Sequence, residues 1–509
     1  MSIGRRSGVL LHVTSLPGPY GAGDFGTGAR RFAEFLKEAG FSLWQLLPLT
    51  PVLPVFGHSP YSSPSAFAGN PSLVSPELLF EDGLATKAEL DGCAVPSGRA
   101  ADFAAASEMR ARLCALAFAR FKSGWYRQMT DEFEKFREEE NYWLRDYALY
   151  SLLKKKNGER CWADWPAELA ARDGAALARF EAECAEELSF IEFTQFIFFR
   201  QLGALSAYCA ELGVELMGDA PIYVAWDGAD VWAARELFDL EPDGRPRCVA
   251  GVPPDYFSET GQRWGNPLYR WEEMRRDGFA WWRSRLRHIL KYCAVARIDH
   301  FRGLSAFWEI PAECETAKDG RWRPALGGEM LEAFRREECG GGELPLVAED
   351  LGIITDDVRE LMARFGLPGM KVLMFAFGGR VAENPYAPHN VAPRSVIYTG
   401  THDNDTAAGW WSGSATAQER ENFALYTGRE VDAGNAAEIM TRMALSSAAE
   451  LAVVPAQDLL GLGAECRMNR PSVPKGNWGW RLTEDEAARL RDKAPSLRAL
   501  NDIYGRLGQ

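Results

Sequence analysis

Eight short apolar runs, separated by helical stretches, constrain this chain more than any other feature of its sequence. They lie at 8–13, 42–48, 214–219, 294–299, 344–349, 372–377, 395–401 and 451–455. Each has the length and composition of a strand. Between the first two, residues 28–39 carry Phe32, Phe35 and Leu36 on one face, the spacing of an amphipathic helix, with Gly40 as its cap. The chain therefore opens β-α-β, which signals a parallel sheet. Eight strands alternating with helices predict an α/β fold of the (β/α)8 TIM-barrel type.

Longer stretches interrupt that rhythm. Residues 77–183 are rich in Ala, Glu and Arg and carry apolar stripes at 109–121, 131–150 and 167–181, but no strand pattern. They are expected to be a helical insertion. Residues 220–275 read as a substrate-loop insertion and 404–450 as a smaller helical one, all on a single catalytic barrel spanning 1–509. The Pro- and Ser-rich stretch 51–76 is too long for an ordinary connection, and Phe56, Tyr61 and Phe67 make it too apolar to be disordered.

Composition excludes several functions. The net charge is −14, without a block of Lys and Arg, which argues against nucleic acid. No apolar run approaches the roughly 18 residues that a membrane helix needs. The run at 8–11 is broken by His12 and is too short for a signal-peptide core. Ten cysteines are scattered without a CxxC pair, as in reduced cytosolic proteins, and no metal or cofactor site is suggested. A cytoplasmic protein, monomeric or a small homo-oligomer, is expected. Seventeen tryptophans favour a carbohydrate site, because sugars pack against flat aromatic faces.

The barrel places active groups at the C-terminal ends of its strands. Four of those ends carry carboxylates: Asp219, Asp299, Glu349 and Asp403. Any one could be a helix cap or a loop acid; four at equivalent ends argue for chemistry. At 295–299 Arg297 and Asp299 alternate and share a strand face, a charged pair that is costly there unless it does chemistry or completes a buried ion pair, and Asp299 reads as the reacting carboxylate. Convergent carboxylates without a phosphate loop or a His/Cys cluster fit glycosyl chemistry.

The motifs sharpen this reading. Ala296-Arg-Ile-Asp-His-Phe-Arg302, Val347-Ala-Glu-Asp-Leu-Gly352, Thr399-Gly-Thr-His-Asp-Asn404 and Met217-Gly-Asp-Ala-Pro-Ile-Tyr223 resemble those of the alpha-amylase clan. The last lacks the terminal His that many clan members have there. Ser59-Pro-Tyr-Ser-Ser63, Gly251-Val-Pro-Pro-Asp-Tyr-Phe-Ser258, Trp264-Gly-Asn-Pro267, Met468-Asn-Arg-Pro471 and Asn477-Trp-Gly-Trp-Arg481 add a specific resemblance to glycoside hydrolase family 77, the 4-alpha-glucanotransferases or amylomaltases. The matches run in order from about residue 8 to 481.

The resemblance implies a retaining transfer of alpha-1,4-glucan segments between maltooligosaccharide donor and acceptor, with no cofactor. It implies Asp299 as nucleophile, Glu349 as general acid and then base, and Asp403 as the carboxylate that holds sugar hydroxyls. It further implies substrate contacts from Ser59, Tyr61, Asp219, Asp255, Ser258, Gln262, Trp264, Arg297, His300, His402 and Asn469. In this reading Tyr61 stacks on the sugar, Asp219 orients Arg297 or a hydroxyl, and the loop 251–266 closes over the groove. The rival readings are an alpha-glucan hydrolase and a non-catalytic glycan-binding protein on a decayed barrel.

Overall fold

A computed structural model describes residues 5–507 apart from 97, 125, 255–257, 472 and 474. The described residues form twelve strands: β1 (Arg6–Leu10), β2 (Leu43–Gln45), β3 (Glu215–Ala220), β4 (Cys248–Val252), β5 (Gln262–Pro267), β6 (Val295–Ile298), β7 (Ala306–Pro311), β8 (Arg321–Pro324), β9 (Leu346–Ala348), β10 (Gly369–Val372), β11 (Ser395–Tyr398) and β12 (Leu451–Pro455). Eight of them, β1, β2, β3, β6, β9, β10, β11 and β12, close in chain order into a parallel barrel. Helices wrap it, among them Thr27–Glu38, Ala185–Glu211, Ala280–Leu290, Asp356–Phe365 and Glu484–Ile503. No helix among the described residues is long and apolar enough to cross a membrane.

Parallel strands covered on both faces must be apolar throughout. β6, β9, β11 and β12 are accordingly buried at every residue. Polar side chains that enter the barrel are paired there: the Tyr398 hydroxyl donates to Gln45 Oε1 at 2.9 Å.

The sixth barrel strand differs from the sequence reading. Ladder pairing to β11 runs from Gly369 to Val372, and the chain then turns into a 3-10 helix, Leu373–Phe375. The run 372–377 is apolar because Leu373, Met374 and Phe377 pack into the core, not because it forms a ladder. The stretch 131–150 is likewise not one helix. It divides into Arg127–Glu139 and Leu144–Lys156, and the break places the buried Trp143 so that its indole donates to Glu140 Oε2 at 2.6 Å.

The stretch 251–266, read as a loop, holds strand instead. β4, β5, β7 and β8 form an antiparallel sheet in the order β5-β4-β7-β8 beside the barrel mouth. It has its own small core of Val249, Ile310 and Ala317.

The long stretch 51–76 is pinned from behind by Ala185–Glu211. Gln195 accepts from the Gly69 N–H at 2.7 Å and donates to its carbonyl at 3.0 Å. Gln201 does the same with Ser75, at 2.7 and 3.3 Å. Gly69 lies so close to the Phe198 ring that a Cβ would sit 2.0 Å from it, so only glycine permits this approach. The loop is thereby fixed across the barrel mouth with Tyr61 facing inward.

Candidate active site

Register builds the floor of the site. In the β3–β6 ladder Asp219 stands opposite Arg297, and in the β6–β9 ladder Arg297 stands opposite Val347. Residues two further on share the face, so Asp299 and Glu349 emerge side by side at the rim. The Asp299 N–H donates to Ala220 O at 3.0 Å and the Glu349 N–H to Ile298 O at 3.0 Å, which extends the barrel bonding to both carboxylates.

Arg297 is the hub. Its Nε donates to Asp219 Oδ2 at 3.0 Å and its Nη2 to Asp299 Oδ1 at 2.7 Å. The Tyr61 hydroxyl donates to the same Asp219 oxygen at 2.8 Å. Burial and the Asp219 charge push the Tyr61 hydroxyl well above the usual phenol range, so it stays a donor. Asp219 and Arg297 are almost completely removed from solvent, whereas the Asp299 side chain is 31% exposed. A buried charge left alone is costly, and here each of the two is the other's partner.

Glu349 sits in a different environment. Its Oε2 accepts from the His300 N–H at 2.7 Å and its Oε1 from the Leu351 N–H at 2.9 Å. His300 has a left-handed backbone, φ 49°, which turns that N–H toward Glu349. Burial, then the neighbouring Asp299 charge, raise the Glu349 carboxyl to about 8. Asp299 and Glu349 are thus unlike: one is tied to a guanidinium, the other is held protonated at neutral pH. Burial also lowers His300 to about 4, so its ring is neutral.

A cleft of about 570 Å³ opens above this floor. Asp299, His300, His402, Asp403, Asn469, Tyr61, Ser59 and Trp264 all line it, so most of the residues singled out from sequence meet there. Tyr61 stacks on His402 with ring centres 5.0 Å apart. Trp264 stands edge-to-face on His300 at 4.8 Å. Asn469 donates to Asp403 Oδ1 at 2.6 Å, and Arg467 holds the Asp403 carbonyl at 2.5 Å.

Other candidates fall elsewhere. Gln262 does not line the cleft; its Oε1 accepts from the Trp264 indole at 3.1 Å and braces that ring. Ser258 Oγ donates to Gly261 O at 2.8 Å, closing the β4–β5 connection. Asp255 lies outside the described residues.

The cleft also contains residues not singled out from sequence. Trp226, Asp227, Asn266 and Trp478 line it. Asp227 accepts from Tyr150 Oη at 2.9 Å and pairs with Lys154, so it anchors the helical region to the cleft wall. Trp478 sits inside a quoted motif, but only its left-handed backbone, φ 67°, sets it apart.

The family model described as 4-alpha-glucanotransferase, glycoside hydrolase family 77, matches residues 11–486. A 4-alpha-glucanotransferase of Thermus thermophilus is 48% identical over 98% of this chain and 100% of its own length. One from Aquifex aeolicus is 44% identical over 99% of both. The solved amylomaltase from Streptococcus agalactiae in complex with acarbose has a TM-score of 0.93 at 35% identity, covering 99% of both chains. The chain belongs to glycoside hydrolase family 77, the 4-alpha-glucanotransferases.

Proposed function

We propose that the chain moves alpha-1,4-glucan segments from a maltooligosaccharide donor to the 4-hydroxyl of an acceptor, in two displacements with net retention. The observation that carries this reading is the unlike pair at the rim, Asp299 bonded to the Arg297 guanidinium beside a Glu349 raised to about 8. Glycosyl transfer with retention needs one carboxylate charged and one protonated.

In the first step Asp299 attacks the anomeric carbon. The glycosidic C1–O bond breaks, and the Glu349 proton goes to the leaving oxygen. Arg297 occupies Asp299 Oδ1, which directs Oδ2 to the sugar. In the second step Glu349 takes the proton of an acceptor hydroxyl, whose oxygen attacks C1 and releases Asp299. Asp403, fixed by Asn469, holds ring hydroxyls and supports ring distortion. His300 and His402 contact sugar hydroxyls, while Ser59, Tyr61 and Trp264 line the sugar path. Asp219, fully buried, orients Arg297 and Tyr61 instead of reaching the sugar. Family membership favours a glucan hydroxyl over water as acceptor. No cofactor enters this scheme, since the glycosyl ester conserves the energy of the broken bond.

The remaining features of this reading concern context. A single catalytic barrel with insertions at 77–183, 220–275 and 404–450 accords with the helices that fill the first. A cytoplasmic location accords with ten cysteines that form no disulfide. A monomer or small homo-oligomer suffices, because one chain supplies the whole cleft.

Incubating the protein with maltotriose tests the proposal. Glucose and a ladder of longer maltooligosaccharides should appear with little net gain of reducing ends. Reducing ends that rise in step with substrate loss, without longer chains, would replace transfer by hydrolysis.

A further inference from the structure

A second concavity lies behind the loop that carries Tyr61. It has a volume of about 210 Å³ and opens between that loop, the region of Tyr142, the helix Ala229–Ala233 and the start of the helix Ala280–Leu290. It shares no lining residue with the cleft. Two chain segments nevertheless serve both. Ser59, Tyr61, Ser62, Trp226 and Asp227 face the cleft, while Ser65, Phe67 and Asp230, a few positions on, face the pocket.

The walls are aromatic. The Phe67 ring stands perpendicular to Tyr142, 5.6 Å away at 86°, and to Trp281, 5.9 Å away at 88°. Tyr142 is 40% exposed, and its hydroxyl lies 3.0 Å from His288 Nδ1, which fixes the ring in place. Polar groups stand among these rings: the hydroxyls of Ser65 and Ser284 and the carboxyls of buried Asp230 and of Asp146, the latter paired with Arg172 at 2.6 Å. One oxygen of Asp230 accepts from the Ala66 N–H at 2.8 Å, so the group is held still.

No Lys, Arg or His lines the pocket, so it does not suit a phosphate or another anion. Among the described residues no cluster of His, Cys, Asp and Glu could hold a metal ion. Flat apolar faces interleaved with hydroxyl and carboxyl acceptors suit a neutral polyol with one apolar face, and the volume suits a single sugar ring.

We propose that this pocket is an outlying saccharide site that holds one glucosyl residue of a long glucan while the cleft works elsewhere on the same molecule. The inference rests on the α-glucan reading of the cleft. A polymer held at one point is presented to a second site at raised effective concentration, so the pocket acts on long chains and not on short ones.

Two substitutions test it. Ser284→Trp fills the pocket, and Tyr142→Ala removes a wall; neither residue lines the cleft. Each purified variant is run in native gels containing glycogen and is assayed for maltotriose disproportionation. Glycogen should retard the wild-type protein, and each variant should bind roughly three- to tenfold more weakly while keeping its maltotriose kcat/KM. Variants that keep maltotriose turnover and migrate as the wild type does would overturn the proposal, as would a wild-type protein that glycogen does not retard. Should Ser284→Trp disturb folding and lose maltotriose turnover, Tyr142→Ala decides. Wild-type protein that is retarded yet fails to disproportionate maltotriose would refute the transferase reading and leave the pocket standing as a glycan site.

Discussion

β6 and β8 are both strands of four residues, one with every residue buried and the other with every residue exposed. Each carries arginine. On β6, Arg297 is locked between Asp219 and Asp299 inside the barrel. On β8, the exposed guanidiniums of Arg321 and Arg323 both reach Glu309, whose side chain is 13% exposed, at 2.6 and 3.2 Å. A buried pair cannot lose one member cheaply, whereas an exposed guanidinium that shares its carboxylate with a second arginine contributes little. The barrel thus supplies fixed charges for the reaction. The outer sheet supplies aromatic surfaces that lean on the barrel loops: Trp264 on His300, and Trp322 beneath Arg302 at 3.9 Å.

That contrast can be broken most directly at Asp299. Asp299→Asn removes the attacking oxygen and should lower turnover of every donor by several orders of magnitude. Full rescue by an activated glucosyl fluoride would show that Asp299 is not the nucleophile.

Glu349→Gln should lose nearly as much on maltotriose but behave differently with the fluoride. Fluoride leaves with little protonation, so the first step survives and the second, lacking its base, stalls. Mass spectrometry should find an added glycosyl mass on the peptide containing Asp299. The mass on Asp219 or Asp403 would overturn the assigned roles.

A third experiment compares the two sheets by stability. Arg297→Met leaves Asp219 buried without its partner and should cost about 3–5 kcal/mol. Arg321→Ala on β8 should stay within about 0.5 kcal/mol. Equal losses in denaturant titrations would erase the distinction.

Trp264→Ala should raise the KM for maltotriose roughly three- to tenfold and leave Tm unchanged, since the ring is 37% exposed and packs on His300 from outside the barrel. A large fall in Tm would mean that the outer sheet supports the barrel and is not merely appended to it.

A further comparison concerns pH. The Glu349 carboxyl is raised in the folded chain from its ordinary 4.5 to about 8, so the folded state holds its proton more tightly than the unfolded state does. The resulting stability is complete below about 4.5 and is lost as pH rises through about 8. The Tm of Glu349→Gln relative to wild type should therefore climb across that window. A flat difference would show that burial does not govern this group.

The barrel was legible because strands buried on both faces must be apolar and short, and eight such runs leave few alternatives. Its rim was legible too. A carboxylate that ends an apolar run is anomalous, and Asp219, Asp299 and Glu349 each do so. The outer sheet was not, since exposed strands such as Arg321–Pro324 carry no apolar alternation and Gly251 to Asn266 reads as turn chemistry. Nor was the true extent of β10, because core packing and ladder pairing both demand apolar residues.

The order of the elements, the rim carboxylates and the alternation of Arg297 with Asp299 are local properties, and the sequence by itself determined them. Only the tertiary structure decided how those carboxylates differ. Asp299 meets Arg297, while Glu349 meets two backbone N–H groups and the charge of Asp299. Ladder register set Asp219 against Arg297 across 78 positions of chain, and loop packing against Phe198 brought Tyr61 to both. Burial and charge act through space over a few ångströms, so a one-dimensional pattern could nominate these groups but could not assign their protonation.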